Sequence, residues 1–279
     1  MKMLYLVATP IGNLKDITLR ALETLKDADF IACEDKRVSS KLLNHYGISK
    51  PLLSYHDHNA EQVRPHILAL LKDGKRVAYI TDGGMPLISD PGFKLVVACQ
   101  QEQLPYTVIP GPSAPVMALC LSGLSPDRFL FCGFLPPKQG ARKASLEELK
   151  PLRPTLLFFE SPKRTIAFLK DALSVLGDRQ GAVCREMTKL FEEVQKGLLS
   201  CLIAHFESHP PRGEIVIVIE GASLFSSLSI EDLEAQLEIA LATHSVKEAA
   251  DLVSKALGLS KREVYQRALA LKSKKTGLS

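Results

Sequence analysis

Two α/β units followed by a small helical extension are what this sequence predicts, on three observations. Short apolar runs alternate with helical patterns from residue 4 to residue 109. The alternation resumes at Phe129, after the turn-rich stretch Gly123-Leu-Ser-Pro-Asp127. After residue 229 no β-like run remains. Strands that alternate with helices build a mostly parallel sheet covered on both faces.

The first unit, residues 1–122, carries β-like runs at 4–9, 29–33, 77–81 and 106–109. Helical patterns at 16–27, 37–46, 60–73 and 92–102 separate them, and a further helix begins near Ser113. In the second unit, residues 123–225, strands are expected at Phe129–Phe134, Thr155–Phe159, Ala182–Arg185 and Glu214–Glu220, with helices at 142–150, 163–175 and 198–207. Its strand directions are expected to be more mixed. In residues 229–279, three capping boxes mark helix starts, Ser229…Asp232, Ser245…Glu248 and Ser260…Glu263; each sets a hydroxyl and a carboxylate against the free N–H groups of a first turn. Val246, Ala249, Ala250, Val253 and Leu257 form an apolar stripe, Gly258 ends that helix, and Val264, Leu269 and Leu271 give apolar surface to the next. Helix, Gly-Leu-Ser turn and basic helix read as a helix-turn-helix.

Composition narrows the class. The chain has 279 residues, 46% of them apolar, enough for two ordinary cores. No apolar run approaches the ~18 residues that span a membrane, and no leader pattern precedes the first strand, so a cytoplasmic protein is expected. The six cysteines form no C-x-x-C pair and read as reduced core residues. The histidines show no H-E-x-x-H spacing, and no metal site is expected. The net charge of +4 is uneven: residues 245–279 hold eight Lys/Arg against three acids, which leaves a near-neutral body. A basic tail of this kind points to a polyanionic partner such as nucleic acid.

The chemistry is expected at strand ends. Val77–Ile80 runs into Thr81-Asp-Gly-Gly-Met-Pro-Leu-Ile-Ser-Asp-Pro-Gly92, the first strand into Thr9-Pro-Ile-Gly-Asn13, and the strand at 106 into Pro110-Gly-Pro-Ser113. A fourth strand ends in the charge burst Glu34-Asp-Lys-Arg37. Ligands of open α/β sheets bind at carboxyl strand ends, and glycine there lets a ligand reach the main chain. Four such ends suggest one pocket built from loops on one rim. The chain has no Walker A motif, no G-x-G-x-x-G and no G-x-S-x-G. Further polar clusters follow strands of the second unit at Glu160-Ser-Pro-Lys-Arg164 and Arg185-Glu-Met-Thr-Lys189, and a basic one comprises Lys138, Arg142, Lys143, Lys150 and Arg153.

Together, Leu6-Val-Ala-Thr-Pro-Ile-Gly-Asn-Leu-Lys-Asp-Ile-Thr18, Ala32-Cys-Glu-Asp-Lys-Arg37, Thr81–Gly92, Pro110-Gly-Pro-Ser-Ala114 and Arg185-Glu-Met-Thr-Lys-Leu-Phe-Glu-Glu193 resemble the small-subunit ribosomal RNA cytidine 2′-O-ribose methyltransferases, a branch of the tetrapyrrole methylase superfamily. The resemblance runs in order from about residue 3 to 222, and the C-terminal helices are similar to that family's helix-turn-helix extension. Lys36 stands where the family has threonine, and Gly83 and Met85 replace the alanine and threonine of S-D-A-G-T-P. The resemblance implies S-adenosyl-L-methionine bound between two α/β domains, a homodimer, and small-subunit ribosomal RNA or the assembled subunit as partner. Cofactor contacts are then expected at Pro10, Asp82, Gly83, Gly84, Ile88, Ser113, Ala114, Glu160 and Met187. Candidates for the acceptor side are Glu34, Asp35, Lys36 and Arg37, with Glu186 and Lys189 behind them and no base singled out. RNA contacts are expected at Lys138, Arg142, Lys143, Lys261, Arg262 and Arg267. Two alternatives stay open: a methyltransferase acting on a small tetrapyrrole, which leaves the basic tail without a task, and a non-catalytic helix-turn-helix protein, which leaves the strand-end loops without one.

Overall fold

A computed structural model of the chain describes residues 3–222, 230–257 and 261–276. The first sheet contains β1 (Leu4–Val7), β2 (Phe30–Cys33), β3 (Leu52–Ser54), β4 (Val77–Ile80) and β5 (Tyr106–Ile109). Its order is β3-β2-β4-β1-β5 and every pair is parallel. All four residues of β4 are buried, as a strand covered on both faces requires. One face packs against α1 (Leu19–Asp27) and α2 (Lys36–His45) through Ala21, Leu25, Leu42 and Leu43. The other packs against α3 (Ala60–Lys72) and α4 (Phe93–Gln101) through Ile67, Leu71, Leu95 and Cys99. β3 lies outside the sequence expectation; it is an edge strand of three half-buried residues, too short for periodicity to show.

The second sheet is mixed, as expected. Its strands are β6 (Phe129–Phe134), β7 (Thr155–Glu160), β8 (Gln180–Arg185), β9 (Glu193–Leu198) and β10 (Ile215–Ile219), in the order β6-β7-β10-β8-β9. Only β6 and β7 pair in parallel. The polar edge strand β9 was hidden in the Arg185–Glu193 cluster and the start of the expected helix at 198. α6 (Gln139–Leu149), α7 (Pro162–Leu176) and α8 (Leu199–Ser208) cover one face through Leu146, Phe168, Leu169, Leu202 and Phe206. α5 (Ala114–Ser122) covers the other, with Ala118 and Leu119 against Leu157, Cys184 and Val218. The seam expected at 122/123 therefore separates α5 from the sheet it packs on; the chain crosses between the sheets at 110–113.

Among the described residues the extension holds three helices, α9 (Ile230–Leu241), α10 (Val246–Leu257) and α11 (Lys261–Thr276), around Leu233, Leu237, Ala250, Val253, Val264 and Ala268. The Ser245…Glu248 box forms in both directions, at 3.0 and 3.3 Å. The boxes opening at Ser229 and Ser260 and the turn at Gly258 lie outside the described residues. Leu269 faces solvent, and Ala268 takes its expected place in the core. No helix among the described residues is long and apolar enough to cross a membrane.

Candidate active site

β1 and β4 lie side by side, but their following helices pack on opposite faces of the sheet. That divergence opens a crevice at their carboxyl ends, the usual ligand position in open α/β sheets. Two hydrogen bonds pin the loops at its floor: Thr9 N–H donates to Gly84 O (2.9 Å) and Gly84 N–H to Thr9 O (3.0 Å). Gly84 holds φ +85°, where a side chain is strained. The second sheet stands across the crevice and encloses a cavity of about 670 Å³.

Of the nine expected cofactor residues, Pro10, Asp82, Gly83, Ala114, Glu160 and Met187 line this cavity. Gly84 serves the loop pairing behind it, Ser113 is the N-cap residue of α5, and Ile88 is 41% exposed; none of the three lines the cavity. Among the acceptor-side candidates, only Lys189 lines it directly. Its Nζ lies 2.9 Å from Glu186 Oε1 and 3.1 Å from Glu214 Oε2. A Cβ on Gly12 would fall 2.6 Å from Lys189 Cγ, so the lysine stem closes against the β1 loop and joins the two units. Glu186 faces away from the cavity: it holds Lys189 and accepts from Glu214 N–H at 2.9 Å.

Carboxylates gather at the rim. Burial, reinforced by the charges of Asp82 and Asp90, pushes Glu34 up to about 7. Burial also raises Asp82 and Asp90, both on the cavity wall. Asp82 Oδ1 accepts from Asp35 N–H at 3.2 Å, which ties the ends of β2 and β4 together. Beneath these acids the buried Tyr79 hydroxyl has no hydrogen-bond partner among the described residues, and burial and then the Glu34 charge raise its pKa. Asp35 and Arg37 have a local task. Asp35 caps α2 by accepting from Arg37 N–H (2.8 Å), and the Arg37 guanidinium, 2.7 Å away, holds its carboxyl at about 2. Lys36 is exposed in the first turn of α2. Glu160 is 3% exposed, accepts from Ser161 N–H at 2.7 Å and faces Arg164 at 3.1 Å; burial raises its pKa.

The basic candidates divide. Lys138 is exposed and Lys143 half-buried, its Nζ 3.7 Å from Asp171. Arg142 is not a surface cation: it is 4% exposed, bonded to Asp171 Oδ2 at 2.5 Å and to Pro137 O at 3.1 Å. In the extension, Lys261 pairs with Asp251 (2.5 Å) and Arg267 with Glu234 (2.6 Å), so part of the tail's positive charge is offset locally. The Arg262 side chain lies outside the described residues.

Sequence reasoning missed Lys41, Glu214 and Phe159 on the cavity wall. Lys41 stands one helical turn beyond Arg37, and i, i+4 spacing alone places it on that face. Glu214 was missed because β10 runs antiparallel to β7, which brings its amino end, not its carboxyl end, to this rim.

Comparison with known proteins agrees with this fold. Residues 3–203 match the model for Tetrapyrrole (Corrin/Porphyrin) Methylases, and residues 228–272 match the RsmI C-terminal HTH domain. A protein of Mesorhizobium japonicum named ribosomal RNA small subunit methyltransferase I is 47% identical over 96% of this chain and 92% of its own. One of the same name from Halalkalibacterium halodurans is 44% identical over 94% and 93%. A third, from Thermotoga maritima, is 47% identical over 78% of this chain and 98% of its own. Among solved structures, diphthine synthase superposes with a TM-score of 0.62 at 15% identity, over 79% of this chain and 90% of that one. The cobalamin biosynthetic enzyme cobalt-precorrin-4 methyltransferase superposes at 0.58 and 19%, over 78% and 95%. At such identities these two speak for the fold alone. With relatives above 40% identity along almost its whole length, the chain belongs to the tetrapyrrole methylases and, within them, to the ribosomal RNA small subunit methyltransferase I family.

Proposed function

We propose that this methyltransferase moves a methyl group from S-adenosyl-L-methionine to the ribose 2′-hydroxyl of a cytidine in small-subunit (16S) ribosomal RNA, acting in the cytoplasm as a homodimer. The observation that carries this reading is the cavity between the sheets, apolar along Ala114, Met187, Ile215 and Val216 and acidic at Asp82 and Asp90. The names of the relatives supply the substrate class.

The residues fit the cofactor. The volume falls within the roughly 300–1,000 Å³ of small-molecule pockets. Gly83 offers bare backbone, and Asp82 and Glu160 offer acceptors for the amino and hydroxyl groups of an adenosyl ligand. Pro10, Asp82, Gly83, Ala114, Glu160 and Met187 are the proposed contacts. When bound, S-adenosyl-L-methionine supplies a sulfonium methyl that needs no further activation.

The chain's own residues then position the acceptor and take its proton. Glu34 is the proposed base: it does not line the cavity itself, but it stands at the rim close enough to feel the charges of Asp82 and Asp90 on the cavity wall. As the ribose oxygen gained the methyl group, the methyl–sulfur bond would break with its electron pair leaving on sulfur as a neutral thioether, and the ribose O–H proton would pass to the Glu34 carboxylate. A carboxyl titrating near 7 is part-ionised at neutral pH and matched to that task. Lys189, held between Glu186 and Glu214, keeps a fixed cation at the cavity wall, and exposed Lys36 stands ready for a phosphate at the rim. The test is methyl transfer to small-subunit RNA in which the acceptor nucleotide carries a 2′-deoxyribose. Transfer is expected to vanish while calorimetric binding of S-adenosyl-L-methionine persists. Continued methylation would put the methyl group on a base, and turnover of a porphyrinoid with none on RNA would reject the substrate class.

A further inference from the structure

Behind the wall that carries Met187 and Lys189 lies a second cavity of about 610 Å³ that the methyl-transfer reading does not use. Gly213 lines both cavities, and Glu186 lines this one, so a single loop separates them. That loop, residues 186–192, is rigidly built. Glu186 and Thr188 hold φ +49° and +68°, a conformation that costs a non-glycine residue energy and persists only where other contacts impose it. The contacts are visible: Glu186 on Lys189 and on Glu214 N–H, and Thr188 N–H donating to Glu192 Oε2 at 2.7 Å. At its tip the loop presents Leu190, 89% exposed, and Phe191, 67% exposed.

The opposite side of the second cavity is aromatic and basic. His205 and His209, one helical turn apart, stack with ring centroids 4.9 Å apart and planes 19° from parallel. Glu193 pairs with Arg185 and lies 3.8 Å from His205 Nε2, so the charge of Arg185 is already offset. Arg212 is exposed and forms no ion pair among the described residues. A flat aromatic surface, an exposed phenyl ring and one uncommitted guanidinium are the groups that seat an unstacked nucleotide, its base on the rings and its phosphate on the arginine.

We propose that this cavity is a subsite for a nucleotide flanking the acceptor on the RNA strand, with Phe191 as its stacking surface and Arg212 as its phosphate contact. The proposal rests on the RNA reading above and extends it: the strand passes over the 186–192 loop, with the acceptor ribose on one side and its neighbour on the other. The loop's stiffness then fixes the spacing between the two nucleotides, which confines methylation to one ribose.

The test uses the full chain and a short single-stranded RNA of small-subunit sequence, with 2-aminopurine next to the acceptor cytidine. Phe191→Ala is expected to weaken RNA binding on the order of ten-fold and to abolish the fluorescence quenching that stacking produces, and Phe191→Trp to restore both. Arg212→Glu is expected to weaken binding and flatten its dependence on salt. Neither residue lines the first cavity, so calorimetric affinity for S-adenosyl-L-methionine should hold in every variant, which also shows that each is folded. Unchanged RNA affinity and quenching in both alanine and glutamate variants, with methyl transfer to RNA intact, would reject the subsite and leave the RNA reading standing. A wild-type chain with no affinity for the RNA would reject that reading itself. Conversion of a dimer to monomers by Phe191→Ala in sedimentation, with RNA affinity unchanged, would assign the cavity to a second copy of the chain and overturn the proposal.

Discussion

Glu34 shows how one side chain is set against the stability of its own fold. In the folded chain it titrates near 7 against an ordinary 4.5, because burial and the charges of Asp82 and Asp90 oppose its ionisation. The folded state therefore binds its proton more tightly than the unfolded state does. The protonated form adds stability that is fully present below about pH 4.5 and lost as pH rises through 7. Glu34→Gln removes the ionisation. It should raise the melting temperature at pH 8, with the difference shrinking toward pH 5. The expected gain is on the order of 1–3 kcal/mol, since partial solvent access screens the effect. If Glu34 is the base, the same variant loses roughly 10²- to 10⁴-fold in kcat, and the rise of rate with pH through 7 disappears. A stopped-flow or discontinuous methylation assay across pH checks both. The sequence displayed this residue as part of a charge burst but not its environment, because Asp35 and Arg37 beside it are equally polar and pair with each other at the start of α2. The difference lies in Asp82 and Asp90, brought over from another strand.

At the scale of elements, the clearest case is the α6–α7 contact. The Arg142 and Asp171 side chains are 5% and 3% exposed and 2.5 Å apart, with Gln139 Nε2 also donating to Asp171 at 2.9 Å. Asp171→Ala leaves a guanidinium buried without its counter-charge and should cost about 3–5 kcal/mol in denaturant unfolding. The double replacement Arg142→Met with Asp171→Leu should recover most of that loss, since a well-packed apolar pair avoids the desolvation cost altogether. In sequence Arg142 reads like Lys138 and Lys143 around it; only the helix–helix packing distinguishes a buried ion pair from a surface cation. The same limit explains the strands. β1, β2, β4 and β5 were legible because apolar runs stop at Gly, Pro or charge. β3 has three residues and β9 is a polar edge, so neither carries a periodic signal. β10 was legible as a strand but its antiparallel direction was not, and that direction is what delivers Glu214 to the site.

The whole molecule joins two sheets and a three-helix extension with its own small core. Deleting residues 229–279 should leave S-adenosyl-L-methionine affinity unchanged, because every proposed contact lies before residue 190. It should weaken RNA binding and flatten its salt dependence, by a slope of roughly 0.7–0.9 for each lost phosphate contact. The deleted segment also removes Glu231, Asp232, Glu234 and Glu238, and Glu234 pairs with Arg267, so that change should be smaller than the eight Lys/Arg of residues 245–279 suggest. A shift in melting temperature with no change in salt slope would instead mark the helices as a packing element. The extension's helical character and one of its capping boxes were readable in advance; how much of its charge is free was not, since ion-pair partners such as Glu234 lie a helix away. The cavity's two walls, finally, belong to bodies with separate cores, bridged where Gly12 meets Lys189. A ligand gripping both walls binds only while the halves are mated, so at a hundred times its Kd it adds about 2.7 kcal/mol to their union. Occupancy thus acts as a clasp: the saturated protein should melt as one cooperative body in calorimetry, and the empty one as two.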